Sequence, residues 1–244
     1  MKITWLGQAG LLFETGDFRI LIDPYLSDSV GRQTGNHRRV PVDETFLHLP
    51  ADVLICTHNH LDHLDPETVE VLLKENLRPM QVLGSYPSWQ ALRSYGGAHN
   101  YIMFNAGTEI TLKEGILAKA VFAQHSDLSA VGVVLDVKEK TAAPNPKKVP
   151  DIPLSRNYTF YITGDTLYDS RIFASLPEHI DAVFLPINGA GNNMNKIDAA
   201  RFARKTGAEK VVPLHVGMLD DLDFSGFTCD GCVIPEIYRE IPLF

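Results

Sequence analysis

Six consecutive residues form the densest cluster of potential metal-binding side chains in this chain. The run from His58 to His63 reads His-Asn-His-Leu-Asp-His, so three imidazoles and one carboxylate come just after the apolar stretch Val53–Cys56. Burying such a cluster is costly unless a partner satisfies every member, and imidazoles with a carboxylate are typical ligands of a divalent metal ion. We therefore predict a metal site at the end of a strand, where open α/β sheets place their ligands. The alternative is a solvated, histidine-rich loop.

The spacing within this run allows two metal ions. Residues two apart in an extended chain point to the same side, so His58 and His60 can bind one ion. The chain turns at Asp62 and His63, because the following Asp65-Pro66 is typical of a helix start. These two side chains can therefore face a second ion.

Two ions need more ligands than this run supplies, and three other residues share a suitable context. His125, Asp165 and His215 each stand at the end of a predicted strand. The remaining histidines lack this context and are interpreted as surface or hydrogen-bonded side chains: His37, His48, His99 and His179.

The ordered series of ligand types resembles the metallo-β-lactamase superfamily, in which H-x-H-x-D-H is followed by His, Asp and His. At the position of His60 the flavodiiron reductases of that superfamily have Glu, so a histidine here favours hydrolysis over redox chemistry. The resemblance implies that His58, His60 and His125 hold one ion, that Asp62, His63 and His215 hold the other, and that Asp165 bridges both.

A closer resemblance is to the L-ascorbate-6-phosphate lactonase group, the UlaG-like proteins. It rests on Thr4–Gly10, Leu21–Asp28, Leu185–Gly189 with Gly191–Met194, and Val211–His215. The resemblance implies a hydrolase that opens the lactone of a phosphorylated sugar acid. It also adds weight to manganese as the metal, with zinc second.

The expected mechanism follows from a pair of divalent ions. Two adjacent ions lower the pKa of a bridging water and supply hydroxide near neutral pH. We expect this metal-bridging hydroxide to attack a small anionic substrate, with Asp62 as a catalytic residue that orients the nucleophile. Arg38 and Arg39 are candidate anchors for a phosphate or carboxylate, or else a solvated basic pair. Asn188, which follows a predicted strand, is a candidate contact for substrate hydroxyls, or else closes a turn.

Three functions compete at this point. The first is a lactonase, the second a phosphodiesterase acting on small cyclic or linear nucleotides, and the third a non-catalytic metal-binding protein. The intact ligand set weighs against the third. The first two use the same ions, with carbon or phosphorus as the electrophile, so the ligands do not separate them.

The elements that must position these ligands indicate an α/β fold. Short strands fill the first quarter, and strands then alternate with helices in the way that a four-layer αββα sandwich requires. We predict one domain over residues 1–244, with a long, proline-rich loop at 138–157. The predicted strands are Lys2–Leu6, Leu11–Glu14, Phe18–Leu21, Val53–Cys56, Ile110–Leu112, Leu117–Ala123, Val131–Val137, Tyr158–Thr163, Ala182–Leu185 and Lys210–Leu214, and the predicted helices are Glu67–Lys74, Ser88–Ser94, Ser170–Leu176 and Lys196–Thr206.

Composition narrows the class of protein. With 244 residues, of which 45% are hydrophobic, the chain can bury a sizeable core. A formal charge of -8 argues against a nucleic-acid partner. No apolar run is long enough for a membrane span and no signal-peptide core is present, so we expect a cytoplasmic protein. We also expect a homo-oligomer. Cys229 and Cys232 lack the second pair that a zinc site needs, and we expect free thiols.

Overall fold

Two β-sheets packed face to face form the centre of the computed structural model, which describes residues 1–139 and 156–243. The first sheet has the strand order β13-β1-β2-β3-β4-β5-β6. Its strands are β1 (Lys2–Gly7), β2 (Gly10–Thr15), β3 (Phe18–Ile22), β4 (Val53–Cys56), β5 (Gln81–Gly84), β6 (Asn100–Met103) and β13 (Arg239–Glu240).

The second sheet has the order β12-β11-β10-β9-β8-β7. Its strands are β7 (Glu109–Lys113), β8 (Ile116–Phe122), β9 (Val131–Glu139), β10 (Arg156–Ile162), β11 (Ala182–Pro186) and β12 (Lys210–Leu214). In each sheet an antiparallel part joins a parallel part, formed by β3 to β6 in one and β10 to β12 in the other. The parallel strands carry several candidate ligands at their carboxyl ends.

The helices lie on the outer faces of the sheets. They are α1 (Ser29–Thr34), α2 (Glu44–Leu47), α3 (Pro66–Glu75), α4 (Tyr86–Arg93) and α5 (Lys196–Thr206), with a 3₁₀ helix at Ser170–Ser175. The buried side chains of α3 repeat at helical spacing and pack with the first sheet, where Val69 and Leu72 share an apolar cluster with Leu54. Phe202 of α5 packs likewise against Tyr161 of the second sheet.

A third apolar cluster fills the space between the two sheets. The ring of Phe13 from the first sheet lies 5.6 Å from that of Phe160 and 5.9 Å from that of Phe184, both in the second sheet. The order from one face to the other is therefore helices, sheet, sheet, helices. The predicted αββα sandwich is confirmed.

Most predicted elements agree with the structure to within two residues. Several short elements of the structure were not predicted. Strands β5 and β6 have four residues each, and β6 is a partly exposed edge strand, so neither has a strong apolar pattern. The predicted loop at 138–157 is too long at both ends, because Lys138 pairs with Asn157 in the β9–β10 ladder. The remainder of that predicted loop, 140–155, lies outside the described residues.

The three cysteines are free thiols, which for Cys229 and Cys232 agrees with the prediction. Cys56 is buried in β4, whereas Cys229 and Cys232 are half-buried. Burial, and then the neighbouring Cys232, raises the pKa of Cys229 to about 12, so this thiol is protonated near neutral pH. Among the described residues, no helix combines the length and the apolar character that crossing a membrane requires.

Candidate metal centre

Strand ends from both sheets meet at one edge of the sandwich and carry the candidate ligands there. His58 lies two residues beyond β4, and His125 and Asp165 lie three residues beyond β8 and β10. His215 directly follows β12. The structure brings all seven predicted ligands together in two adjacent groups, His58, His60, His125 and Asp165 in one and Asp62, His63 and His215 in the other.

In the first group the ring nitrogens converge. Nε2 of His125 lies 3.2 Å from Nδ1 of His60. His58 contacts the Thr57 hydroxyl through Nδ1 at 3.1 Å, and its Nε2 is buried without a hydrogen-bond partner. A buried nitrogen of this kind is costly unless something binds it, and a metal ion accepts its lone pair.

The second group converges on one carboxylate oxygen. Nε2 of His63 and Nε2 of His215 lie 3.2 Å apart, and each is 3.1 Å from Oδ1 of Asp165. That oxygen is buried and makes no contact with hydrogen-bond geometry. Oδ2 of Asp62 lies 3.4 Å from the same nitrogen of His215. Asp165 therefore contacts both groups, and this set of imidazoles and carboxylates fits a pair of divalent ions.

Local backbone geometry turns these side chains toward one another. The carbonyl oxygen of His60 accepts from the backbone N–H groups of His63 (3.0 Å) and Leu64 (2.8 Å), which closes the turn that follows β4. As predicted, Asp65 then caps α3, where its side chain accepts from the backbone N–H of Glu67. The turn is thus held at one end by a strand and at the other by a helix.

The last of the predicted histidine ligands, His215, has an unusual backbone conformation. His215 has φ +66°, a left-handed conformation that is uncommon for residues other than glycine, although histidine adopts it more often than most. Its backbone N–H donates to the carbonyl oxygen of Gln8 at 3.0 Å, and that oxygen also accepts from the indole of Trp5. Strain of this kind persists only where the surroundings fix it, and it clusters at functional sites.

Besides His58, two further imidazoles have an oxygen atom against the ring nitrogen that faces away from the other ligands. Asp23 accepts from Nδ1 of His63 at 2.8 Å, and the backbone carbonyl oxygen of Asn192 lies 3.3 Å from Nδ1 of His125. Such contacts fix the ring so that the opposite nitrogen faces the metal. Asp23 was not among the site residues predicted from the sequence. Its position directly after β3, the same context as Asp165 after β10, was the available signal.

Charge within the centre is balanced by two of the imidazoles. Burial lowers the pKa of His63, but nearby carboxylates, Asp165 most strongly, raise it well above its ordinary value. The same competition raises the pKa of His215 to about 10. Burial and the charge of His63 hold the pKa of His58 well below its usual range, and burial lowers that of His125. The buried carboxylates thus need positive charge, which a divalent ion supplies when it displaces these protons.

Arg38, predicted as a substrate anchor, has its guanidinium occupied by protein groups. It donates to the carbonyl oxygens of Val40 (2.7 Å) and Ser27 (2.8 Å) and to the hydroxyl of Tyr238 (2.8 Å). It also stacks over the buried ring of Tyr25. These contacts favour a structural role, in which Arg38 joins the chain after β3 to the segment before β13.

Arg39 and Asn188, the other two predicted substrate contacts, differ from Arg38 and from each other. The side chain of Arg39 is half-exposed and forms an ion pair with the exposed Asp221. Asn188 lies two residues after β11 with its amide against His215, and its Nδ2 is 3.1 Å from Nδ1 of that ring. Arg39 is therefore open to exchange its partner, whereas Asn188 touches a candidate ligand.

Gln8, in the turn between β1 and β2, is a further contact that sequence reasoning did not find. Its Nε2 donates to Oδ2 of Asp62 at 2.7 Å and lies 3.2 Å from Nδ1 of His215. A glutamine in a turn follows no chemical pattern, and its neighbours here come from distant parts of the chain. The four remaining histidines lie outside the centre, as predicted, and contact other groups: His37, His48, His99 and His179.

Comparison of the sequence with known proteins identifies the family to which the chain belongs. The model of the beta-lactamase superfamily domain matches residues 2–215. A UPF0173 metal-dependent hydrolase of Geobacillus thermodenitrificans is 32% identical over 222 residues, which covers 88% of this chain and 85% of that protein. The chain therefore belongs to the beta-lactamase superfamily and, within it, to the UPF0173 family of metal-dependent hydrolases.

Solved structures with lower sequence identity share the fold. Igni18, a metallo hydrolase from Ignicoccus hospitalis, superposes with a TM-score of 0.71 at 18% identity and covers 98% of this chain, with 96% of its own length matched. The isothiocyanate hydrolase from Delia radicum gut bacteria gives a TM-score of 0.65 at 20% identity, with 98% of each chain covered. Identity at this level establishes the shared fold and no more.

Proposed function

We propose that this protein is a binuclear metal-dependent hydrolase that acts on a small anionic substrate, the lactone of a phosphorylated sugar acid. The observation that carries the hydrolase assignment is the convergence of two ligand groups on Asp165 at one edge of the sandwich. The choice of a lactone rests on the resemblance of the strand-end segments to the lactonase group. When bound, two divalent ions supply a nucleophilic water at neutral pH and polarise the electrophile.

The seven side chains divide between the two ions by proximity. We assign Asp165 to both, because it belongs to the first group and its Oδ1 lies 3.1 Å from two imidazoles of the second. Imidazole with carboxylate suits either manganese or zinc, and the resemblance to the lactonase group makes manganese the first candidate and zinc the second. The first ion is assigned to His58, His60 and His125, and the second to Asp62, His63 and His215.

Asp62 is the residue that we assign to the proton of the attacking water. Burial raises its pKa, but the charges of His63 and His215 lower it below the usual range, so the carboxylate stays ionised. The donor of Gln8 fixes Oδ2, and we assign the second oxygen of Asp62 to orienting the nucleophile. A fixed, ionised carboxylate accepts a hydrogen bond from the attacking water and orients it, and because its pKa is low it would pass the proton on instead of keeping it.

The test is ring opening of L-ascorbate 6-phosphate by protein reconstituted with manganese, with bound metal measured by elemental analysis. We expect turnover by the wild type and a loss of at least about 100-fold in Asp165→Ala, which lacks the shared ligand. The Cys229→Ser variant is the control, because this thiol lies outside the site and its replacement should leave the rate unchanged.

Two other results would contradict the proposal in different ways. Full metal loading without lactone turnover, together with cleavage of a phosphodiester such as bis-p-nitrophenyl phosphate, would reject the lactone and favour the phosphodiesterase. Lactone turnover that survives complete removal of metal would reject the binuclear mechanism.

A further inference from the structure

Two amide side chains, those of Gln8 and Asn188, enclose the outer side of the His215 ring. Nδ2 of Asn188 lies 3.1 Å from Nδ1 of His215, and Nε2 of Gln8 lies 3.2 Å from the same nitrogen. Both amide oxygens, Oδ1 of Asn188 and Oε1 of Gln8, are buried without a hydrogen-bond partner. As placed, two donors face one ring nitrogen while two buried acceptors go unused.

This arrangement conflicts with the role assigned to His215. If Nε2 of the neutral ring binds a metal ion, the proton must lie on Nδ1, which is then a donor and needs an acceptor. Two NH₂ groups cannot accept that hydrogen bond. One of the two amides must therefore be turned by half a rotation, which exchanges oxygen and nitrogen at almost no change in shape.

The surroundings decide which amide turns. Gln8 donates to Oδ2 of Asp62 at 2.7 Å, and an ionised carboxylate is only an acceptor, so the NH₂ group of Gln8 must stay where it is. The structure gives the NH₂ group of Asn188 no other partner than His215 among the described residues. Turning Asn188 brings its oxygen to the place of its nitrogen, 3.1 Å from Nδ1 of His215.

We propose that Asn188 is a positioning residue whose amide oxygen accepts from Nδ1–H of His215 and so fixes the tautomer that leaves Nε2 for the metal. This inference rests on the proposed binuclear function, and it assigns Asn188 to the ligand shell instead of to the substrate. It gives His215 an oxygen partner equivalent to those of His63 and His125, which have Asp23 and a backbone carbonyl oxygen.

The backbone around Asn188 is held firmly enough for this role. Ile187 donates to the carbonyl oxygen of Leu214, the residue before His215, at 3.3 Å. Asn188 itself forms a bridge with Asn195, the residue that caps α5. The amide and the ring are thus fixed to neighbouring strands β11 and β12.

Two substitutions of similar size at position 188 test whether Asn188 accepts a hydrogen bond from His215 or donates one. Asn188→Asp keeps an oxygen toward Nδ1, and Asn188→Leu removes it. We expect Asn188→Leu to weaken binding of one of the two ions by about 10- to 100-fold, the usual cost of losing an outer-shell partner, while Asn188→Asp stays within about threefold of wild type. Metal affinity is measured by competition with a chromophoric chelator, and thermal unfolding confirms that each variant folds.

Gln8 provides the matched control, because its amide is inferred to act as a donor. Gln8→Glu places a second carboxylate against Asp62, so we expect it to weaken metal binding where Asn188→Asp does not. In protein loaded with zinc, two-bond ¹H–¹⁵N correlations of His215 report the tautomer directly, and Nδ1 should carry the proton in the wild type.

The outcomes separate this inference from the proposed function. Equal losses in Asn188→Asp and Asn188→Leu, or a wild-type ring protonated at Nε2, would overturn the role of Asn188. Two bound ions without lactone turnover would overturn the proposed substrate and leave Asn188 as assigned, because its test measures metal and not activity.

Discussion

His60 differs from its neighbours in the ring nitrogen that it presents. It faces His125 with Nδ1, the nitrogen nearer the backbone, whereas His125 and His58 present Nε2. The carbonyl oxygen of His60 closes the turn after β4, so the backbone at this residue is fixed by two hydrogen bonds. Alternation along an extended chain correctly predicts that His58 and His60 share one side. It does not predict which nitrogen of each ring is used.

Substitutions of the two adjacent arginines should have different effects, on stability at Arg38 and on substrate binding at Arg39. Arg38→Ala removes donors to several backbone carbonyl oxygens, and we expect it to lower the free energy of unfolding by about 2–3 kcal/mol. Arg39→Ala breaks only an exposed ion pair, so the free energy of unfolding should change by less than about 0.5 kcal/mol. Urea unfolding measures both.

The same pair tests the anion anchor. If Arg39 exchanges Asp221 for the substrate, Arg39→Ala should raise KM for the phosphorylated lactone far more than it lowers kcat. Asp221→Ala is the control, since it frees the guanidinium and should not raise KM. An unchanged KM in Arg39→Ala would remove Arg39 from the substrate site.

At the scale of elements, the start of α3 links the metal run to the outer layer. Asp65 is fully buried and accepts from the backbone of Glu67 and from the hydroxyls of Ser27 and Thr68. Asp65→Ala leaves these donors without their acceptor, and we expect it to lower the free energy of unfolding by about 2–4 kcal/mol.

Because the cap also anchors the turn that ends in α3, Asp65→Ala should weaken metal binding as well. Asp43→Ala, at the half-buried cap of α2, is the matched control and should lower the free energy of unfolding by about 1 kcal/mol with no effect on metal affinity. Chemical unfolding and metal titration of the two variants test this difference. Equal effects of the two substitutions on metal affinity would show that the cap of α3 does not position the ligands.

The elements also determine which residues of the site could be predicted from the sequence. A buried strand followed by His or Asp is a local pattern, so His125, Asp165 and His215 could be predicted from their neighbours in the chain. The contacts of Gln8 and Asn188 with His215 depend on β1, β11 and β12 meeting at one edge, which no local pattern encodes. For the same reason Arg38 resembles a free anion anchor in the sequence, although its partners in the fold include residues 200 positions away.

At the scale of the whole molecule, candidate ligands from both sheets meet at the metal centre, so an ion bound there links the two sheets. Ions that bind only the folded chain stabilise it by mass action, by about 3 kcal/mol for each ion at a hundredfold excess over Kd. For two ions this is about 6 kcal/mol, and we therefore expect removal of metal by a chelator to lower Tm by about 12–24 °C. Differential scanning calorimetry with and without manganese measures the shift.

Asp165→Ala serves as the control for this prediction, because losing the shared ligand should reduce the dependence of Tm on manganese. A wild-type Tm that is the same with and without the ion would contradict a metal centre in the folded protein.

The separation in the chain between the ligands has a kinetic consequence. His63 from the first half and His215 from the end of the second sheet face each other across 152 positions. Bringing such distant segments together costs loop-closure entropy, which the chain must overcome before an ion can contact both groups. We therefore expect the ligand set to assemble late in folding, after the two sheets have packed together. Interactions absent from the transition state slow unfolding without speeding folding, so a bound ion should act mainly by lengthening the lifetime of the native protein.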